Sequence, residues 1–134
     1  MRKNKTIWTN GCFDIIHAGH IELFKYAKSQ GDTLFVGIDS DERVSSLKGE
    51  SRPINSQADR KSVLESIRYI DRVFVFGSVE EMEKILLDKS IDLIVIGDEY
   101  KGRPITGESL CDVAFFEKIP GLSTTSIIES VKDI

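Results

Sequence analysis

Short runs of β-branched and apolar residues recur along this chain with helical patterns between them, and that alternation narrows its fold more than any other feature. Thr6-Ile7-Trp8-Thr9, Thr33 to Ile38, Arg72 to Phe76 and Asp92 to Ile96 each read as a strand, with Val113 to Ile119 as the last. Thr33-Leu34-Phe35-Val36-Gly37-Ile38 is nearly continuous in apolar residues, as a strand buried on both faces should be. Between the strands, Gly19 to Ser29 carries Ile21, Leu23, Phe24 and Ala27 at helical spacing, and Gly31 is expected to stop that helix. Ser40-Asp41-Glu42 reads as a second helix start, with acids where the helix dipole favours them. A helix from Gln57 to Tyr69 is predicted with Val63, Leu64, Ile67 and Ile70 as its apolar stripe. Val79 to Asp88 and Thr124 to Val131 complete the helices. Lys48 to Asn55 is polar and turn-rich, the segment expected to be most mobile, and Glu99 to Ser109 reads as loop.

Strand and helix in alternation predict an α/β fold: a doubly wound parallel sheet of about five strands with helices on both faces. The sequence shows no repeat, low-complexity tract or linker, and residues 1–134 read as a single domain. In such sheets ligands bind beyond the carboxyl ends of the strands, where the strand order reverses. The polar and glycine-rich segments fall at those ends. Gly11 to His20 follows the first strand, Asp39-Ser40 the second and Gly97-Asp98 the fourth, while Ser123-Thr124-Thr125 precedes the closing helix.

Both histidines of the chain, His17 and His20, lie in the first of these segments, at a helix N-terminus with Gly19 between them. Main-chain N–H groups and the positive end of a helix dipole attract anions there. Imidazoles spaced i, i+3 share one face, and Gly19 is expected to let a ligand approach the main chain. Two plainer readings stand beside this one: accidental clustering, and a zinc pair supplemented by Cys12 and Asp14, though no second cluster completes a four-ligand set.

With 18 basic and 22 acidic residues and a net charge of −4, the chain lacks the basic field that nucleic-acid binding usually requires. An anionic ligand must therefore be held by a local site. Met1-Arg2-Lys3-Asn4-Lys5 precedes only a short apolar run, so neither a signal peptide nor a membrane span is predicted. Cys12 and Cys111 are too few to suggest a disulfide framework, and a reducing, cytoplasmic setting is expected.

Gly11-Cys12-Phe13-Asp14 followed by His17-Ala18-Gly19-His20 resembles the signature of the H-x-G-H nucleotidyltransferase superfamily. Ser123-Thr124-Thr125-Ser126-Ile127-Ile128 is similar to that family's late serine-threonine motif, and the resemblance spans essentially the whole chain. Two groups within the superfamily share features with it. Leu47-Lys48-Gly49, Ser51-Arg52-Pro53-Ile54-Asn55, Asp59-Arg60 and Pro120 to Thr125 resemble the adenylyltransferase domain that makes ADP-heptose from heptose 1-phosphate. Glu65 to Asp71 and Gly97-Asp98-Glu99-Tyr100-Lys101-Gly102 look more like the CTP-dependent glycerol-3-phosphate cytidylyltransferases. Those enzymes typically carry an arginine in the late motif where this chain has Lys118, and a point charge in place of a fork favours the adenylyltransferase reading. The heptose enzymes carry a fused sugar kinase, so any kinase acting with this chain is expected to be a separate protein.

The resemblance implies transfer of a nucleoside monophosphate from a nucleoside triphosphate to a phosphorylated sugar or polyol, with release of pyrophosphate. It implies catalytic roles for His17, His20 and Lys48, and nucleotide contacts from Gly11, Cys12, Phe13, Gly19, Gly97, Asp98, Ser123, Thr124 and Thr125. Asp14, Arg60 and Arg68 are weaker candidates for substrate contact, with Asp14 expected chiefly to hold the loop and Phe13 to pack beneath the nucleotide. Arg60 and Arg68 are expected on one helix. A thiol at a helix start, as Cys12 is, is expected to be sensitive to oxidation. Magnesium is implied through the triphosphate, with no protein metal ligand, and a homodimer by family analogy. A non-catalytic nucleotide sensor on the same fold is the alternative from another class.

Overall fold

The computed structural model of the protein describes residues 4–117. The predicted closing helix, Lys118 and the serine-threonine motif lie outside them. Five parallel strands, β1 (Thr6–Gly11), β2 (Thr33–Asp39), β3 (Arg72–Phe76), β4 (Leu93–Gly97) and β5 (Asp112–Phe116), form one sheet in the order β3-β2-β1-β4-β5. The chain runs outward from β1 to β3 and then crosses back to lay β4 against the other side of β1. The order therefore reverses between β1 and β4, which puts the crevice beyond the carboxyl ends of those two strands.

Alternation along each strand builds two cores. Ile7, Leu34, Val36, Ile38, Val73 and Val95 face one side, where they meet Phe24 and Ala27 of helix α1 (Ala18–Ser29) and Leu64 of α3 (Gln57–Glu65). Trp8, Phe76, Ile94 and Ile96 face the other, against Met82 and Leu86 of α4 (Val79–Asp88). Helices thus cover both faces, as the apolar runs require. Gly37 makes the second core possible: a Cβ there would lie 2.2 Å from the Trp8 ring. Gly107, at φ +88°, brings the segment before β5 so close to α4 that a Cβ would lie 2.5 Å from Leu86. Among the described residues no helix is long and apolar enough to cross a membrane.

Several boundaries differ from expectation. The third helix ends at Glu65 with Ser66 as its cap, so the predicted extension to Tyr69 is a turn. Val63, assigned to the apolar stripe, is 49% exposed, whereas Arg60 shares the buried face with Leu64. Helix α2 (Asp41–Lys48) runs one residue into the predicted loop and takes Lys48 with it. Gly31 does not end α1 through a left-handed conformation; Gln30 caps the helix, and a Cβ on Gly31 would sit 2.6 Å from the carbonyl oxygen of Lys5. Asp98–Tyr100 forms a short 3-10 helix at the start of the predicted 99–109 loop, and β5 stops at Phe116 rather than Ile119.

Candidate active site

Strand β1 ends at Gly11, opposite Ile38 of β2. The chain then turns through Cys12, Phe13 and Asp14 toward α1. Phe13 has a φ of +49°, a conformation that bulky residues rarely adopt. Packing holds it there: its buried ring meets Phe24 edge-on at 5.1 Å and His20 at 5.4 Å between centroids. A Cβ on Gly11 would come within 3.1 Å of the same ring. Phe13 therefore underlies His20.

His17 is the N-cap of α1, a place usually filled by Ser, Thr, Asp or Asn. Its Nδ1 accepts the N–H of Gly19 at 3.1 Å, and its own N–H donates to Nδ1 of His20 at 3.2 Å. The two rings stack with centroids 3.8 Å apart and planes 25° apart. Because both Nδ1 atoms accept, the neutral rings carry their protons on Nε2. The result is two N–H donors side by side at the positive end of a helix. The Gly19 N–H is engaged by His17.

Asp14 is 3% exposed and holds the turn to the loop between α2 and α3. Its carboxylate accepts the N–H of Ile54 at 2.7 Å and of Asn55 at 2.8 Å, while Asn55 Nδ2 donates to its carbonyl oxygen at 2.7 Å. Ser45 Oγ also donates to the carbonyl of Arg52 at 2.7 Å. The loop expected to be mobile is thus anchored over Arg52 to Asn55, and Asp14 is occupied by it rather than turned to a substrate.

Arg60 is a correction of the same kind. It was a candidate for reaching substrate phosphate, but it is 1% exposed. Its Nη1 donates to the carbonyls of Cys12 (2.9 Å) and Asp39 (2.8 Å), Nε to that of Asn55 (3.1 Å) and Nη2 to Asp41 Oδ1 (2.9 Å). One guanidinium joins the loops after β1 and β2 to the approach of α3. Asp41 reinforces that junction by exchanging hydrogen bonds with Gln57 at 2.9 and 2.7 Å, tying the starts of α2 and α3 together. Sequence reading did not foresee Asp39, Asp41 and Asn55 as partners of Arg60. The available signal was spacing, since Arg60 stands four residues before Leu64 on the buried stripe.

Arg68, in the turn after α3, is exposed and lies over the Tyr69 ring at 5.0 Å, away from Arg60. Its guanidinium is held further into the charged state by the Tyr69 hydroxyl it contacts. Lys48 is exposed at the end of α2, near enough for its charge to favour the Cys12 thiolate. Burial outweighs that effect and the similar one of Arg60, pushing the Cys12 thiol above its ordinary pKa. The oxidation sensitivity expected of Cys12 is therefore corrected: this is a buried, protonated thiol. Gly97 and Asp98 lie where β4 passes into the 3-10 helix, beside the strand-order reversal. Ser123, Thr124 and Thr125 lie outside the described residues. Among the described residues no group of three or more His, Cys, Asp or Glu side chains is placed to hold a metal ion.

The sequence matches the cytidylyltransferase-like family over residues 8–130. It is 43% identical over 132 residues to the bifunctional protein HldE of Campylobacter concisus, and 42% identical over the same length to that of Wolinella succinogenes. Each match covers 98% of this chain but 28% of the relative, so the chain spans less than a third of the curated relatives it resembles. Among solved structures, the lipopolysaccharide core biosynthesis protein of Thermoplasma volcanium shares the fold with a TM-score of 0.68 at 24% identity, over 86% of this chain and 98% of that one. A pantoate-β-alanine ligase of Francisella tularensis, solved with β,γ-ATP and β-alanine, shares it at 0.59 and 16% identity, over 98% of this chain and 70% of that one.

Proposed function

The chain belongs to the cytidylyltransferase-like family, and from that premise we propose that it transfers a nucleoside monophosphate, from ATP by preference, to a sugar phosphate such as heptose 1-phosphate. The observation that carries this reading is the stacked pair of Nε2–H donors, aligned by their own Nδ1 bonds at the head of α1, where the strand order reverses. Identity to the HldE proteins supports the sugar-phosphate acceptor over glycerol 3-phosphate.

A phosphate oxygen of the sugar phosphate attacks the α-phosphorus in line with the bond to the β-phosphate. The new P–O bond forms as the old one breaks, and pyrophosphate leaves with the bonding pair. The attacking monoester is already ionised at neutral pH, so no protein base is required. Catalysis then consists of positioning and of stabilising charge on phosphate oxygens. His17 and His20 donate to the triphosphate, and Lys48 adds a mobile positive charge from the end of α2. Gly97 and Asp98 flank the nucleoside, while Ser123, Thr124 and Thr125 receive the outer phosphates. Magnesium, when bound, neutralises the triphosphate. Asp14 is occupied by main-chain N–H groups, Asp39 by Arg43 at 2.8 Å and Asp41 by Arg60, which fits an ion carried in by the nucleotide rather than by the protein. By family analogy the protein acts as a cytoplasmic homodimer.

Pyrophosphate release, measured with four nucleoside triphosphates against a panel of sugar and polyol phosphates, tests the proposal. Turnover with ATP and heptose 1-phosphate is expected. Tight nucleotide binding without turnover on any acceptor would replace it with the sensor reading.

A further inference from the structure

The ion pair between Asp14 and Arg52 is left without a task by the mechanism above. Both side chains are covered, Asp14 completely and Arg52 to all but 10% of its surface, with Nε 3.4 Å from Oδ2. That contact is long for opposite charges. The shorter bonds of the carboxylate go to Ile54 and Asn55, so the loop stays anchored whether or not Arg52 takes part. Nη2 of Arg52 is buried and has no hydrogen-bond partner among the described residues. A buried charged donor left unsatisfied is costly, and such groups call for an explanation.

Arg60 supplies the contrast. Its Nε, Nη1 and Nη2 all donate to oxygens, as a structural arginine should. Both guanidinium groups adjoin the 12–14 turn, and Lys48 bears on the same turn electrostatically. Asp14 and Asp39 are the opposing anions, each already engaged. Of the two arginines on this turn, Arg52 retains donor capacity. A guanidinium has no acceptor atom, and the groups it matches best are the oxygens of carboxylates and phosphates.

We infer that Arg52 is an anion-binding residue of this site, its Nη2 donating to a phosphate oxygen of the substrate while Asp14 steadies the guanidinium through Nε. The inference rests on the proposed function, which brings two phosphate compounds to this turn. Because Ile54 and Asn55 hold the loop independently, the side chain can turn toward an incoming phosphate without the loop leaving Asp14.

Calorimetric titration of the wild-type protein, R52Q and R52K separates the possibilities. One arm uses a non-hydrolysable ATP analogue with magnesium and the other heptose 1-phosphate, with thermal melts recorded alongside. R52Q is expected to weaken one arm by about tenfold or more, the size of one lost charge-assisted hydrogen bond, and to leave the other within about threefold. The arm that falls identifies the phosphate. R52K is expected to recover part of the loss, because lysine keeps the charge but not the fork. Wild-type affinity of R52Q in both arms overturns the assignment and leaves the nucleotidyltransferase reading standing. Equal weakening of both arms, with a lowered melting midpoint and no recovery in R52K, also overturns it, in favour of a structural role. A wild-type protein that binds neither probe overturns the functional reading and this inference with it. Should R52Q not fold, R52K decides by the same comparison: selective weakening supports the assignment, since one ammonium cannot serve Asp14 and a phosphate together, and unchanged affinity overturns it.

Discussion

The two edges of the sheet use the same acid for opposite ends. At the amino-terminal edge, Asp32, Asp71 and Asp92 each stand just before a strand and accept main-chain N–H groups, those of Lys5, Leu34 and Thr6. Asp71 adds Lys28 at the surface. At the carboxyl-terminal edge, Asp14, Asp39 and Asp41 meet Arg52, Arg43 and Arg60. One edge closes the backbone on itself, and the other gathers cations around the 12–14 turn. Three carboxylates offset three guanidinium groups there, so the aspartates act as brackets that fix the arginines in place rather than as a source of net charge.

Breaking the bracket at Arg60 is expected to have the largest effect. Arg60→Met takes the guanidinium donor from three carbonyls and from Asp41, and should lower unfolding free energy by about 3–5 kcal/mol in urea titrations. A loss under about 1 kcal/mol would show that the carboxyl edge is held by something other than this guanidinium. Next come His17→Ala and His20→Ala, each expected to lower kcat for pyrophosphate release by about a hundredfold or more, as loss of a preorganised donor does. Near-wild-type turnover in either variant would remove the paired donors from the chemistry.

At the opposite edge, Asp92→Asn should cost about 1 kcal/mol of stability by weakening its bond to the Thr6 N–H, with kcat/KM unchanged. Lost activity there would mean that the two edges are not independent. The smallest effect concerns Cys12. Its folded-state pKa lies above the ordinary value of 9.0, so the folded protein holds that proton more tightly than the unfolded chain. The contribution is present in full below pH 9, and it declines as pH climbs through the folded value. Urea midpoints taken across that range should fall less steeply in Cys12→Ala than in the wild type.

The sheet and the histidine pair were legible because local pattern determines them. Apolar runs such as Leu34 to Ile38 admit few alternatives, and His17 and His20 stand three apart at a helix start whatever the tertiary structure. Arginine roles were not legible in this way. Arg60 and Arg68 looked equivalent on a helix taken to reach Tyr69, but the helix stops at Glu65 and burial separates them completely. The partners of Arg60 lie 5, 19, 21 and 48 residues away, and no local period encodes such contacts. The loop at Arg52 to Asn55 looked mobile for a related reason: its anchor, Asp14, comes from a distant turn.

One consequence of the His17 cap reaches beyond this site. A single imidazole begins a helix with one nitrogen, and under the proposed function the other would donate to the triphosphate, joining folding and turnover in one ring. Asparagine in its place would keep the start of the helix and, with its amide closer to the backbone, remove the N–H from the Nε2 position. One codon change would then separate the two duties, giving a folded protein of lowered turnover in which ligand affinity can be measured.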